Sequence, residues 1–307
     1  MQTITVGATL ESFQAQGRRH EEPPFMPARQ SPTVRRRRLG AELRRLREEA
    51  GLTIERVAAT LECSESKVSR IETGQVGAMP RDVRDMLDLY RVGAEQRETL
   101  IQIARDARQK GWWHAYTDVP VVPGYIGLEV SAAAIDTFGA MLVPGLLQTA
   151  EYAREVLVTL RPDLPAEQIE RRVELRMARQ SILAGDQPPA LRAVLDEALL
   201  RRPVGGRAAM RRQLHHLGQA AERPAISLQV LPLEVGAHPG MDGAFTVFRF
   251  PQPSDPEVVH LEHTTGDLYL ETAEETARYA AAFEELCGAA LGRDESAALL
   301  SSVARKL

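Results

Sequence analysis

A short segment with polar and basic side chains on one side is the part of the sequence best suited to recognising another molecule. It reads Ser64-Glu-Ser-Lys-Val-Ser-Arg-Ile-Glu-Thr-Gly74. In a helix, three- and four-residue spacing places Val68 and Ile71 on one face and the small polar and basic side chains on the other. A helix that enters the DNA major groove needs this division, because one face reads base edges while the other packs. The segment is therefore predicted to be a DNA recognition helix.

The predicted DNA contacts come from this segment and from a basic run that precedes the first helix. Ser66 and Lys67 are placed to reach base edges, whereas Arg70 is better placed for a phosphate. Residues 35–38 are four arginines, and either an arm along the DNA or a solvated helix start explains such a run. Its position beside the recognition helix favours phosphate contact. The predicted DNA-binding residues are Arg37, Arg38, Ser64, Glu65, Ser66, Lys67, Ser69 and Arg70.

Five helices over residues 35–110 are predicted to position that face. Apolar residues follow helical spacing from Leu39 onwards, and Gly51 provides a stop for the first helix. Thr53 and Ser64 have side chains that cap helix amino termini, so the second and third helices are predicted to begin after them. The fourth and fifth helices are predicted after Pro80 and over 94–110.

The second and third helices are predicted to pack closely through a small residue, Ala58. Their shared core is expected to contain Val57 and Leu61 from the second helix and Val68 and Ile71 from the third. Cys63 is expected to fill the turn as a small apolar side chain. This arrangement would fix which side chains of the third helix face outwards.

These residues resemble the Cro/phage-repressor (XRE) family of helix-turn-helix regulators. The resemblance rests on Leu39-Gly-Ala-Glu-Leu-Arg-Arg-Leu-Arg-Glu-Glu-Ala-Gly-Leu-Thr53, on Val57-Ala58 and on Ser69-Arg-Ile-Glu-Thr-Gly74, and it covers residues 36–110. It implies a five-helix domain with its recognition helix at 64–70 and a structural role for Glu72 at the helix end. One departure is Glu62, where the family commonly has glycine, so a positive φ is expected at this non-glycine turn residue.

Charge is unevenly divided along the 307-residue chain. Residues 35–110 hold 17 Lys and Arg against 13 Asp and Glu, a net +4, whereas the rest holds 21 against 29, a net −8. A basic DNA-binding module joined to an acidic domain with another task has this pattern. Cys63 and Cys287 lack disulfide or zinc spacing, no apolar run reaches 18 residues, and no signal peptide is visible. The prediction is a cytoplasmic, nucleoid-associated protein.

Composition divides the chain into three parts. Residues 1–34 are polar and interrupted by prolines, which predicts a disordered arm, and Met26 leaves open whether residues 1–25 are translated. Residues 35–110 form the predicted helix-turn-helix domain, and residues 111–307 a predicted α+β regulatory domain with a small sheet. In that domain, helices are predicted near 129–142, 148–160, 165–184, 207–221, 272–290 and 294–305, and strands at Leu191–Leu195, Ile226–Leu231, Phe245–Phe250, Val258–Glu262 and Leu268–Leu270.

No catalytic constellation is visible in residues 111–307. His238, His260 and His263 could be imagined as metal ligands, but strand alternation places His260 and His263 on opposite faces, and no cysteine supports such a site. Neither a GxxxxGK[ST] phosphate loop nor a nucleophile elbow is present. The sequence therefore predicts no catalytic residue, no cofactor and no metal, and a protein that is not an enzyme.

Two turn-rich segments indicate binding instead. They are Val143-Pro-Gly-Leu-Leu-Gln-Thr-Ala-Glu-Tyr-Ala-Arg154 and Gly236-Ala-His-Pro-Gly-Met-Asp-Gly243, although ordinary turns that feed a core explain both as well. An aromatic pair at 112–113 is a further candidate, with packing at a domain junction as its alternative. The predicted ligand or partner contacts are Trp112, Trp113, Pro144, Leu146, Leu147, Tyr152 and His238.

The same segments carry a second resemblance. Together with Ser227-Leu-Gln-Val-Leu-Pro232, Gly243-Ala-Phe-Thr-Val-Phe-Arg-Phe250 and the strand containing Glu262, they are similar to the carboxy-terminal domain of actinobacterial-type regulators. These regulators pair an XRE helix-turn-helix with a domain of unassigned function, and the resemblance covers about residues 112–290. Members are often encoded beside a very small partner protein, and some resemble toxin–antitoxin pairs. Where relatives often have tyrosine, this chain has His260.

Two functional hypotheses follow. The first is a sequence-specific transcriptional regulator that binds double-stranded DNA as a homodimer, with residues 111–307 serving dimerisation and reception of a small-molecule or protein signal. The alternative is an antitoxin-like protein that binds a small protein from a neighbouring gene and autoregulates its operon. A third reading, an enzyme with an attached DNA-binding domain, lacks any supporting side-chain pattern. No membrane partner is expected.

Overall fold

A computed structural model describes residues 32–107, 112–116, 118–119, 123–252, 255–263 and 266–307. Most of the predicted arm, residues 1–31, lies outside the described residues. No helix in the described ranges is long and apolar enough to cross a membrane.

The amino-terminal region contains the five predicted helices. They are α1 (Pro32–Glu49), α2 (Ile54–Thr60), α3 (Glu65–Glu72), α4 (Pro80–Leu89) and α5 (Ala94–Asp106). The first helix begins earlier than predicted, so residues 35–38 lie within it rather than in an arm before it. Proline is tolerated in the first helical turn and arginine is a good helix former, which explains the longer helix.

Local signals fix the ends of the short helices as expected. The Thr53 hydroxyl accepts a hydrogen bond from the Arg56 backbone amide at 3.2 Å, and the Ser64 hydroxyl accepts one from that of Lys67, also at 3.2 Å. Gly51 ends α1 with a φ of +68°. Glu62 adopts a φ of +50°, which confirms the positive φ expected at this turn.

One apolar core joins these helices. Val57, Val68 and Ile71 are buried and Ala58 lies at the contact between α2 and α3, while Leu61 is half-buried, as is Cys63. Further members are contributed by α1, α4 and α5, namely Leu39, Leu43, Leu46, Val83, Met86, Leu87, Leu100, Ile101 and Ala104. The predicted apolar faces are therefore the faces that pack.

The larger region is an α+β domain built on six strands. Its helices are α6 (Pro123–Ser131), α7 (Ala150–Leu160), α8 (Ala166–Arg179), α9 (Glu197–Arg201), α10 (Gly206–Ala221), α11 (Ala273–Ala289) and α12 (Arg293–Lys306). Its strands are β1 (Ala134–Gly139), β2 (Ala190–Asp196), β3 (Ile226–Leu231), β4 (Phe245–Arg249), β5 (Val258–His263) and β6 (Gly266–Leu270). The strand order is β3-β2-β1-β4-β5-β6.

Both faces of the sheet are covered. Strands β1, β2 and β3 run parallel, and the remaining neighbours pair antiparallel. Helices α10 and α12 pack on one face, where Leu214 and Leu300 are buried with Leu228. Helix α11 covers the other through Phe283 and Leu286. The carboxyl ends of the three parallel strands meet at one edge, as the geometry of parallel sheets requires.

The helix predicted near 129–142 is wrong, because α6 ends at Ser131 and the central strand β1 follows. This strand carries Asp136, which is fully buried. Arg192 from β2 holds its carboxylate through two hydrogen bonds of 2.6 Å, and Arg249 from β4 also binds it. The sequence did not predict β1 because Asp136 interrupts the continuous apolar run that is typical of a buried strand.

Candidate nucleic-acid interface

Helix α3 presents the predicted polar face to solvent. Glu65, Ser66, Lys67, Ser69 and Arg70 are all exposed, because the opposite face is held in the core. The Ser64 side chain is exposed too, but its hydroxyl caps the helix. The structure thus places these six predicted DNA-binding residues on one continuous outward surface, with the helix amino terminus and its free amides at one end.

Lys67 already has a carboxylate partner. Its ammonium nitrogen lies 2.6 Å from an Asp82 carboxylate oxygen at the start of α4. Asp82 is the more buried member of this pair, whereas Lys67 is largely exposed. A phosphate or base edge that approached α3 would therefore compete with Asp82 for this lysine.

Gly40 allows α1 and α3 to approach closely, a role that the sequence prediction missed. A Cβ at this position would lie 2.5 Å from the backbone oxygens of Ile71 and Glu72. The sequence signal was a glycine inside a strongly helical pattern, which often marks a packing requirement.

Arg37 and Arg38 face the larger domain. The Arg37 guanidinium forms an ion pair with Glu271 and lies 5.2 Å from the ring centroid of Tyr269, and its side chain is only 15% exposed. Arg38 lies 3.7 Å from the carboxylate of Asp255, whose side chain is 1% exposed. The two arginines predicted to contact DNA are thus held by acidic residues more than 200 positions away, which the sequence could not reveal.

Burial dominates the electrostatics of this junction. It raises the pKa of Glu271, against the opposing effect of the nearby Arg37 guanidinium. It likewise raises the pKa of Asp255, although Arg38 acts in the opposite direction. The pocket lined by Arg37, Arg38 and Asp255 has a volume of about 10 Å³, enough for about one water molecule. This pocket is therefore too small for a larger ligand.

A continuous series of contacts connects α8 to α1 through this junction. The Arg179 guanidinium lies 5.0 Å from the Tyr125 ring centroid, and the Tyr125 ring lies 4.4 Å from that of His260. The His260 ring is 5.0 Å from Tyr269, on which Arg37 rests. Burial lowers the pKa of His260, which favours a neutral ring among the aromatic side chains.

The predicted ligand contacts divide into three groups. Trp113 is buried in a small cluster with Ile126 and Leu175, with Trp112 packed edge-to-face against it, so both occupy a packing position. Tyr152 is fully buried, and its hydroxyl accepts a hydrogen bond from the Val143 amide at 3.3 Å. These three side chains therefore pack within the larger domain.

Two other predicted contacts, Pro144 and His238, lie near the carboxyl ends of the parallel strands. Pro144 precedes a 3-10 turn over Gly145–Leu147. The His238 ring accepts a hydrogen bond from the Gly240 amide at 3.2 Å and lies 3.6 Å from Asp196. Among the described residues no group of three or more His, Cys, Asp or Glu side chains has the spacing of a metal site.

Leu146 and Leu147 line a cavity of about 200 Å³. Leu183, Ala220 and Ile226 complete its apolar lining. Four polar side chains also face it, and sequence reasoning identified none of them as a site residue, namely Gln180, His216, Gln219 and Arg223.

Two family profiles match the chain. A profile described as "Helix-turn-helix domain" matches residues 38–100. A second, described as "Domain of unknown function (DUF5753)", matches residues 122–302, more than half of the chain. Neither a curated protein nor a solved structure matches the chain. The first match agrees with the exposed polar face of α3 and indicates a DNA-binding regulator.

Proposed function

The chain belongs to the DUF5753 family, and from this premise we propose that it is a sequence-specific transcriptional regulator of XRE type. The observation that carries the proposal is the division of α3, with Val68 and Ile71 buried and the polar and basic side chains exposed beside Arg70. That helix would lie in the major groove, where Ser66 and Lys67 read base edges. Arg70 and the helix amino terminus would bind phosphates.

The regulator would act as a dimer on DNA. One α3 offers only about two side chains for base edges, and two-fold symmetric proteins obtain enough contacts from half-sites about one helical turn apart. Selection of bound sequences from a random duplex library tests this part directly. Enrichment of a palindrome with that spacing is the expected result, whereas recovery of unrelated sequences would contradict sequence-specific recognition.

The larger domain would regulate DNA binding through the start of α1. Arg37 and Arg38 are the predicted phosphate contacts, yet in the larger domain Glu271 holds Arg37 and the buried Asp255 holds Arg38. The same guanidinium cannot satisfy Glu271 and a DNA phosphate in one geometry. Any signal that weakens the junction would therefore increase DNA affinity, and DNA would in turn weaken the junction.

Replacing Glu271 by glutamine tests this competition. The Glu271→Gln variant should bind duplex DNA about fivefold more tightly than the wild type in a low-salt titration, because the neutral amide no longer competes for Arg37. Glu274→Gln is the matched control, since Glu274 is exposed on the adjacent helix and the two changes remove the same charge. Equal effects of both variants would mean that net charge, not the junction, sets the affinity.

A second candidate function is an antitoxin-like protein that binds a small partner protein. The observation in its favour is the exposure of large apolar side chains on loops that follow the carboxyl ends of β1 and β3. Met141, Leu233 and Met241 are each more than half exposed. Exposed apolar side chains near one edge are typical of protein-binding surfaces.

The native mass of the protein purified gently from its own host distinguishes the two functions. An added mass of a few kilodaltons per subunit would support the small-partner function. A dimer without added mass would favour the regulator that acts alone.

A further inference from the structure

The cavity beside the Gly145–Leu147 turn has the construction of a small-molecule site. Leu146, Leu147 and Leu183 are buried and form an apolar floor, which Ile226 extends. The opposite wall is the carboxy-terminal half of α10, which contributes His216 and Gln219, together with Arg223 just beyond the end of that helix. Small-molecule sites commonly combine an apolar lining with a few polar groups of this kind.

The size of the cavity limits its ligand. Its volume is about 200 Å³, whereas a cavity of roughly 150 Å³ accommodates one benzene molecule. The ligand would accordingly be slightly larger than benzene, with about ten non-hydrogen atoms. Nucleotides and drug-sized molecules need cavities of about 300 Å³ or more.

The charges at the cavity indicate an anion. Arg223 donates a hydrogen bond to the backbone oxygen of Leu183, and neither Arg223 nor His216 belongs to any of the ion pairs found between described residues. Several other arginines of this domain, though not all, are paired with carboxylates, such as Arg179 with Glu129 at 2.7 Å and Arg212 with Glu151 at 2.6 Å. His216 and Arg223 both line this cavity, so one anionic ligand within it can contact both groups.

We propose that this cavity binds a small organic acid, with its apolar body against Leu146, Leu147 and Leu183 and its carboxylate between His216 and Arg223. A monocarboxylate with one aromatic ring or a branched aliphatic chain has the required size and charge. The carboxylate receives hydrogen bonds from a guanidinium and an imidazole, the charge-assisted geometry that favours carboxylates over neutral analogues.

The position of the cavity explains how binding of such a ligand would affect Arg37 on α1. Gln180 lines the cavity and donates hydrogen bonds to the backbone oxygens of Gly145 and Gln148, at 3.1 and 2.7 Å. It directly follows Arg179, from which Tyr125, His260 and Tyr269 lead to Arg37. The proposal deepens the proposed function by assigning the class of its signal, and only this coupling step rests on that function.

Direct binding to the full-length chain, without DNA, tests the site. Isothermal titration with benzoate is the first measurement, with benzyl alcohol as a neutral probe of similar size. Saturable benzoate binding at least about tenfold tighter than that of benzyl alcohol is expected. Absence of benzoate binding up to about 10 mM would overturn the proposal, as would equal binding of the two probes.

Variants locate the binding. Arg223→Gln should weaken benzoate binding about tenfold or more, and His215→Gln is the control because His215 is exposed and does not line the cavity. Unchanged benzoate affinity in Arg223→Gln would place the ligand elsewhere and overturn the assignment. Because DNA is absent from these titrations, the site and the DNA-binding function can fail independently. A shift in DNA affinity on adding benzoate then tests the coupling alone.

Discussion

The Arg47 guanidinium and the Glu72 carboxylate form a buried ion pair between α1 and the end of α3. Two hydrogen bonds, of 2.7 and 2.9 Å, join them, and Arg47 also donates to the Leu52 backbone oxygen at 2.9 Å. Both side chains are less than 10% exposed. The pair fixes α3 against α1, a structural role of the kind that the XRE resemblance implies for Glu72.

Removing one partner of this pair should be costly. Arg47→Ala would leave the Glu72 carboxylate buried without its cation, and we expect the free energy of unfolding to fall by about 3–5 kcal/mol. Urea denaturation measures this change. Arg44→Ala is the matched control, because its ion pair with Glu48 on the same helix is exposed and should contribute less than about 1 kcal/mol. Similar losses in both variants would show that the Glu72 contact has no special structural role.

Substitutions on the outward face of α3 should affect sequence preference and general DNA affinity differently. Alanine at Ser66 and Lys67 should change the base preference of the selected site, because these side chains are predicted to reach base edges. Arg70→Ala should weaken binding to all duplexes and reduce the slope of log affinity against log salt by about 1. A footprint that survives all three changes would mean that another surface reads the DNA.

Asp82 should restrain DNA binding by holding Lys67. The Asp82→Asn variant removes the 2.6 Å ion pair and one negative charge beside α3, so its affinity for duplex DNA should rise several-fold at low salt. Asp85→Asn provides a control on the same helix, since Asp85 is exposed and takes part in no ion pair between described residues. If Asp85→Asn raised affinity as much, release of Lys67 would not explain the gain.

Acidification should open the junction between the domains. Because burial raises the pKa of Glu271, its carboxylate takes up a proton at higher pH than a free glutamate does, and the Arg37 ion pair is then lost. The DNA affinity of the wild type should thus approach that of Glu271→Gln as the pH falls from about 7.5 to about 5. Measuring both proteins at each pH cancels the titration of other groups, including His260 and Asp255. A ratio that stays constant over this range would argue against Glu271 as the titrating group.

Protonation of Glu271 should also make the free energy of unfolding depend on pH. A carboxyl group whose pKa is higher in the folded than in the unfolded state binds protons preferentially when folded. The contribution of Glu271 to the free energy of unfolding should fall as the pH rises between these two pKa values. Glu271→Gln, which cannot titrate, should lack this contribution, as denaturation at several pH values would reveal.

Two glycine-to-alanine changes in helices should have opposite effects. Gly40→Ala would force a methyl group to within 2.5 Å of the α3 backbone and should destabilise the protein by about 1–3 kcal/mol. Gly218→Ala adds its methyl group in open space on α10 and should stabilise the protein by about 0.5–1 kcal/mol. Thermal or urea unfolding provides the comparison. Stabilisation by both changes would show that α1 and α3 can separate without cost.

The residues that the sequence could assign were those whose role depends on near neighbours. Caps at Thr53 and Ser64 form within one helical turn, and the helical apolar spacing and a turn residue such as Glu62 are equally local. Five of the six strands were predicted because short apolar runs at these positions lie between turn signals in the sequence. The outward face of α3 followed from the same periodicity.

Tertiary structure alone decided the roles that depend on distant partners. Strand β1 was hidden because Asp136 becomes acceptable in a buried strand only when Arg192 and Arg249 neutralise it. Arg37 is bound by Glu271 because folding brings α1 against the far end of the chain. Local periodicity carries no information on which distant charges meet, and burial of a charge is tolerated only when such a partner is present. The sequence by itself therefore determined the five amino-terminal helices and the exposed polar face of α3, whereas only the tertiary structure determined which carboxylates hold Arg37 and Arg38.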